Sequence, residues 1–209
     1  MGLISKLVSV TRVPHIYQCA QCLLTDTRLT ERVLREGLQH EAGMRVLDLG
    51  CGPGQFAGLF RDEDYLGIDI SPEYIDRARK LHPTKRFQLM NATEIGSLNE
   101  RFDRAMVMGV FHHMPDADVT DSLRSLRNTL NPGGFCFVAE AIWPTNRFDF
   151  AGWLLRRLDR GAHVRTVARW LELFQEFGVR DQVTAYNRLL PYMTCRLDLS
   201  RPKSPPTNA

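Results

Sequence analysis

Long apolar runs are missing from this chain of 209 residues, and none approaches the roughly 20 needed to span a bilayer. A secretion signal is missing too, because Lys6, Arg12 and His15 interrupt the apolar start. Myristoylation of Gly2 would need Ser or Thr where Lys6 stands. There is little excess of either charge. With 27 basic and 24 acidic residues the net charge is +3, too balanced to argue for a nucleic-acid partner. Cysteines are few and odd in number, five in all, which predicts free thiols in a reducing cytoplasm. One C-x-x-C pair, Cys19 and Cys22, has no second pair to complete a zinc set, so no metal is expected. No internal repeat and no long linker is present. What remains is ordinary for one globular α/β domain, with 44% hydrophobic and 24% charged residues.

The most informative segment is Val46-Leu47-Asp48-Leu49-Gly50-Cys51-Gly52-Pro53-Gly54. The apolar run Met44 to Leu49 reads as a buried parallel strand, and Gln55 to Phe60 after the turn can form a helix. Glycines 50, 52 and 54 let a ligand approach the backbone, and a helix start offers free N–H groups. Asp48 then discriminates between nucleotides. Beside the turn, a carboxylate repels a pyrophosphate and attracts a cation. The dinucleotide fingerprint G-x-G-x-x-G would also put its third glycine where Gln55 stands. S-adenosylmethionine carries an ammonium and a sulfonium and no phosphate. The pattern D-x-G-x-G-x-G resembles motif I of the class I S-adenosylmethionine-dependent methyltransferases, and the likeness extends over roughly Arg45 to Glu140.

Alternating patterns continue along the chain. Residues 3–24 and Thr27 to Gln39 read as N-terminal helices. Strands are expected at Tyr65 to Ile70, Phe87 to Met90, Ala105 to Val110 and Phe135 to Glu140. Ser71-Pro72 starts a helix as cap and first residue. Asp116 to Leu130 forms another, with Asn131-Pro132-Gly133-Gly134 as a turn. Phe148 to Arg160 reads as an inserted helix and Thr166 to Phe177 as a further one. Strands at Val179 to Tyr186 and Tyr192 to Leu199, separated by Pro191, can pair antiparallel. This rhythm predicts a doubly wound, Rossmann-like sheet of about seven strands, with N-terminal helices and a helical insertion after strand five. Five parallel strands closed by an antiparallel hairpin are what the family resemblance implies. One domain over 1–200, with a lid at 143–164 and a disordered tail at 201–209, is the expected organisation.

Ligands of such sheets lie at the carboxyl ends of the strands. Asp69, ending strand two, can accept hydrogen bonds from the two ribose hydroxyls, and Ile70 can cover an adenine face. After strand three the family commonly has Asp where this chain has Asn91; its amide oxygen and the backbone at Ala92 can still meet the adenine. Gly50, Cys51, Gly52 and Gly54 with Val110 complete the expected cofactor set. The segment Met108 to Asp116 resembles the post-strand segment of many small-molecule methyltransferases and lacks the Asn/Asp-Pro-Pro-aromatic tetrapeptide of enzymes acting on DNA adenine or protein amides. His112 and His113 are candidate bases for a hydroxyl acceptor. Tyr17, Glu140, Trp143, Trp153 and Tyr186 are candidate acceptor contacts. The aromatic residues of 143–164 suit an apolar or aromatic small molecule, although a packing helix or a membrane contact, given Arg156, Arg157 and Arg160, fits the same composition. A protein or RNA methyltransferase, or a cofactor-binding protein without transfer activity, are the competing readings.

Overall fold

Strand β1 (Val46–Leu49) is buried along its whole length, as a central strand covered on both faces must be. Its alternation divides the core. Leu47 and Leu49 join Ile68, Val107 and Val138 in one layer, and Val46 lies in the other with Tyr65 and Met106. A computed structural model describes residues 26–157 and 161–199. Helix α1 (Thr27–Leu38) precedes β1 and is capped by Asp26, whose carboxylate accepts from the N–H groups of Arg28 and Leu29. Strand β2 (Tyr65–Asp69) follows, then helix α2 (Pro72–Leu81), with Ser71 and Pro72 in the expected cap and first positions. Next come β3 (Arg86–Leu89), β4 (Phe102–Met108), α3 (Asp116–Arg127) and β5 (Leu130–Ala141). Helices α4 (Phe150–Arg157) and α5 (Val167–Leu173) lead to β6 (Gly178–Asn187) and β7 (Leu190–Asp198).

The seven strands form one sheet in the order β3-β2-β1-β4-β5-β7-β6. The first five are parallel, and β7 runs antiparallel to both β5 and β6. Side chains of α1 and α2 cover one face, and those of α3 and α5 cover the other. The chain moves outward from β1 to β3, then returns to add β4 on the other side of β1. That reversal opens a crevice at the carboxyl ends of β1 and β4, where ligands of open α/β sheets bind. The expected fold class is the observed one.

Local differences have physical causes. Gln55 to Phe60 forms only a short 3-10 turn at Ala57–Leu59, because six residues containing Gly58 cannot meet the cost of nucleating an α-helix. Asn131 to Gly134 is not a terminal turn. It is a bulge inside β5, which pairs Leu130 with Phe102 and then Phe135 with Arg104. Gly133, at φ +81°, supplies the left-handed residue, and Asn131 Nδ2 donates to Asp103 Oδ1 at 2.8 Å. Helix α3 therefore ends at Arg127, with β5 starting at Leu130. Helix α5 stops at Leu173, short of Phe177. Pro191 lies within β7, opposite Tyr186, and the hairpin turns instead at Arg188-Leu189 with Arg188 at φ +54°. Among the described residues no helix is long and apolar enough to cross a membrane. Tyr17, the Cys19–Cys22 pair, most of the expected N-terminal helices and the 201–209 tail lie outside the described residues.

Candidate cofactor and acceptor site

The turn after β1 is built from left-handed glycines: Gly50, Gly52 and Gly54 have φ of +68°, +53° and +82°. They serve two purposes. A Cβ on Gly50 would sit 2.5 Å from the Val110 side chain, so the turn touches the loop after β4. A Cβ on Gly52 would meet nothing within 4 Å, which leaves an open approach to the backbone there. Asp69 closes the other side. Its Oδ2 accepts from Gly52 N at 2.9 Å and its Oδ1 from Ser71 N at 2.8 Å. Each oxygen keeps a further lone pair, the pair of acceptors that two donating ribose hydroxyls require. Ile70 beside it is 69% exposed, an apolar surface available to a flat ring. Asn91 caps the turn Ala92–Ser97 by accepting from Thr93 N at 3.1 Å, so its amide oxygen already has one local duty.

Asp48 lies beneath the glycine turn, 1% exposed. Its Oδ2 accepts from the Tyr65 hydroxyl at 2.7 Å. Burial pushes its carboxyl up to about 7; the Tyr65 hydrogen bond opposes this and the charge of Asp69 adds to it. Cys51, also buried, has its thiol driven far above the ordinary range, first by burial and then by Asp48 and Asp69, so it is a neutral wall and no nucleophile. Tyr65 carried no sequence signal beyond an aromatic residue opening a strand. Its partnership with Asp48 arises because parallel pairing sets Val46 beside Tyr65 and Asp48 beside Gly67, leaving room for a phenol over the glycine.

The two histidines after β4 part company. His112 is buried and His113 is exposed, with their rings 4.1 Å apart. Glu140, near the end of β5, is 1% exposed. Its Oε1 accepts from the N–H groups of Val110 and Phe111 at 2.9 and 2.7 Å. Its Oε2 faces His112 N at 3.3 Å and the ring Nδ1 at 2.8 Å. Since that oxygen is an acceptor throughout, Nδ1 carries the ring proton and Nε2 is the basic nitrogen. Glu140 thus anchors the loop and orients a histidine, with both its oxygens already engaged there.

Arg165, which the sequence did not single out, holds the carbonyl side of the same loop. It donates to Phe111 O at 3.0 Å, Met114 O at 2.7 Å and Asp116 Oδ1 at 2.7 Å, and it covers the Trp170 ring. The described residues of 143–157 and 161–164 are tied down beside it. His163 N donates to His112 O at 2.9 Å, and Trp143 Nε1 donates to Val164 O at 2.9 Å. Trp143 stacks on Trp153 at 4.9 Å, while Phe148, Phe150 and Leu154 remain exposed. Arg156 is buried and donates to Ile142 O at 3.0 Å, so it does not belong to an exposed basic face. Tyr186 joins the segment from β6 through its hydroxyl, 2.9 Å from Asp149 Oδ2. Among the described residues no cluster of His, Cys, Asp and Glu could hold a metal.

Known proteins are similar to this chain in sequence and fold. A family profile described as a methyltransferase domain matches residues 24–186. The ubiquinone biosynthesis O-methyltransferase of Psychrobacter arcticus is 32% identical over 58% of this chain and 52% of its own length. The 27-O-demethylrifamycin SV methyltransferase of Amycolatopsis mediterranei is 36% identical over 52% of this chain and 42% of its own. The chain spans about half the length of the curated relatives it matches. In fold it is similar to the N-methyltransferase NodS of Bradyrhizobium japonicum, solved with S-adenosyl-L-homocysteine, at a TM-score of 0.63 and 17% identity over 81% of this chain and 85% of that one. With well over half of its residues under the family profile, and with an acid-and-glycine turn at the reversal of a 3-2-1-4-5-7-6 sheet, the chain belongs to the class I S-adenosylmethionine-dependent methyltransferases.

Proposed function

We propose that this chain transfers the methyl group of S-adenosylmethionine to a hydroxyl of a small apolar or aromatic molecule, with His112 as general base and Glu140 as its positioning residue. The observation that carries this is the Glu140–His112 pair at 2.8 Å, on a loop that touches the glycine turn through Val110. When bound, the cofactor supplies a methyl group already activated by its sulfonium, so the protein's task is alignment and exclusion of water. An amine acceptor that arrives deprotonated needs no base. A hydroxyl does, and a buried imidazole with a fixed tautomer meets that need. The names of the two curated relatives support a small-molecule acceptor and, for the first, an oxygen acceptor. Asp69 would take the ribose, Ile70 the adenine face, Asn91 and Ala92 its edge, and Asp48 the cationic end. Trp143, Trp153 and the exposed aromatic residues of 143–157 would face the acceptor.

Calorimetry tests the cofactor half. S-adenosylmethionine and its demethylated product are expected to bind and NAD is not, and tighter binding of NAD would overturn the reading. A panel of phenols and amines with labelled methyl donor tests the acceptor half, phenols being the expected substrates. Asp69→Ala is expected to weaken binding of the demethylated product by about 1–3 kcal/mol, since it strands two ribose hydroxyls. An unchanged dissociation constant in the folded variant would remove Asp69 from the site.

A further inference from the structure

Asp48 and Glu140 are equally buried carboxylates in one site, yet their surroundings differ. Glu140 has four N–H groups within reach. Asp48 accepts one hydrogen bond, from Tyr65, and its Oδ1 accepts none among the described residues. A buried carboxylate requires a cation or several donors to stay charged. The groups facing Asp48 offer neither. Strand β2 presents Tyr65 and Asp69, the turn presents Cys51, and β4 presents Met106. Helices α1 and α2 and residues 56–60 pack Leu34, Leu38, Phe56, Phe60, Ile75 and Ala78 into that layer, and His82 meets Phe87, a second ring against Tyr65. His40 meets Phe60, which in turn stacks on Tyr65, and so remains two rings away.

We propose that Asp48 and Tyr65 form a proton-linked cation seat, in which Asp48 carries a proton in the free protein and releases it to solvent when a cationic cofactor binds. The inference rests on the reading that this chain binds S-adenosylmethionine. Its balance is simple: the Asp48 O–H bond breaks, the proton passes to water or buffer, and the positive charge of the ligand takes its place. Tyr65 is the positioning residue, because its hydroxyl holds Oδ2 and leaves Oδ1 for the ligand.

The sign of the pH dependence follows from burial, which raises the Asp48 carboxyl to about 7. Below that value binding has to expel the proton, so affinity weakens as pH falls, by up to about tenfold per pH unit. Above it affinity is flat in this respect. The free protein behaves oppositely. A carboxyl raised above its unfolded value adds stability below the ordinary Asp range and loses it as pH rises through about 7.

The test is calorimetry of the full chain with S-adenosylmethionine, its demethylated product and adenosine, at about pH 6 in two buffers of different ionisation enthalpy. The ligands' α-amino groups, which titrate near about 8, stay protonated there. Release of close to one proton is expected with S-adenosylmethionine and none with adenosine. Equal release by the demethylated product assigns the seat to the ammonium, and release by S-adenosylmethionine alone assigns it to the sulfonium; both support the proposal. Asp48→Asn should abolish the release and flatten the pH profile. Tyr65→Phe should move the release to higher pH, since the donor that opposes burial is gone. Binding with no proton release and a flat profile overturns the seat and leaves the cofactor reading standing. Equal release by adenosine overturns the seat as well, and absence of binding overturns both. The wild-type measurement decides the matter even if a variant does not fold.

Discussion

Glu140→Ala is expected to cost about 3–5 kcal/mol of folding stability, roughly 10 °C in melting temperature. The side chain is fully buried, and its removal leaves the N–H groups of Val110, Phe111 and His112 and the His112 ring donor without their acceptor. Each such loss costs about 1–3 kcal/mol when water cannot enter, and partial relaxation brings the sum below simple addition. Thermal unfolding checks it, and a shift of a degree or two would show that the loop does not depend on Glu140. Glu140→Gln separates structure from chemistry. One amide oxygen still serves Val110 and Phe111, so most of the stability should remain. The amide nitrogen then donates toward His112, which drives the ring to the other tautomer and places its proton on Nε2. The glutamine variant should therefore fold like the parent and turn over like a variant without the histidine.

His112→Ala should lower kcat with a phenol acceptor by about 10²-fold or more, with little change in cofactor affinity. His113→Ala should leave kcat within a few-fold, because His113 is exposed while His112 is buried and held by Glu140. Neighbouring residues on a tight turn project in different directions, so one histidine can be fixed inside only if the other is outside. Steady-state kinetics of the two variants, with folding confirmed by thermal melts, decides between them. Full kcat in a folded His112→Ala would make alignment the whole of catalysis and an amine the better acceptor. A larger loss for His113→Ala would transfer the role to the exposed ring.

The doubly wound sheet was legible in the chain because its signals are local. Met44 to Leu49, Tyr65 to Ile70 and Ala105 to Val110 are apolar runs between turn residues, and burial on both faces leaves them no other form. Asp48, the glycines at 50, 52 and 54 and Asp69 were legible for the same reason: a left-handed turn and a strand-end acid are written in consecutive residues. Turn chemistry misled where tertiary pairing overrode it. Asn131-Pro132-Gly133-Gly134 reads as a stop, but the Asp103 bond and continued pairing with β4 make it a bulge. Gln55 to Phe60 reads as a helix, but its length and Gly58 do not sustain one.

What only the tertiary structure decided is who partners whom. Glu140 lies 28 residues from His112, Arg165 lies 51 from Met114 and Tyr65 lies 17 from Asp48, and no periodicity encodes contacts at such separations. Sequence alone pointed to a glycine turn beside an acid, a strand-end acid and a pair of candidate bases. The parallel register brought a phenol to Asp48. The close of β5 beside β4 put a carboxylate under the loop, and the return of the insertion set a guanidinium over its carbonyls. Those long-range contacts single out His112 from its neighbour, because a side chain's role depends on which buried donors and acceptors the fold places around it.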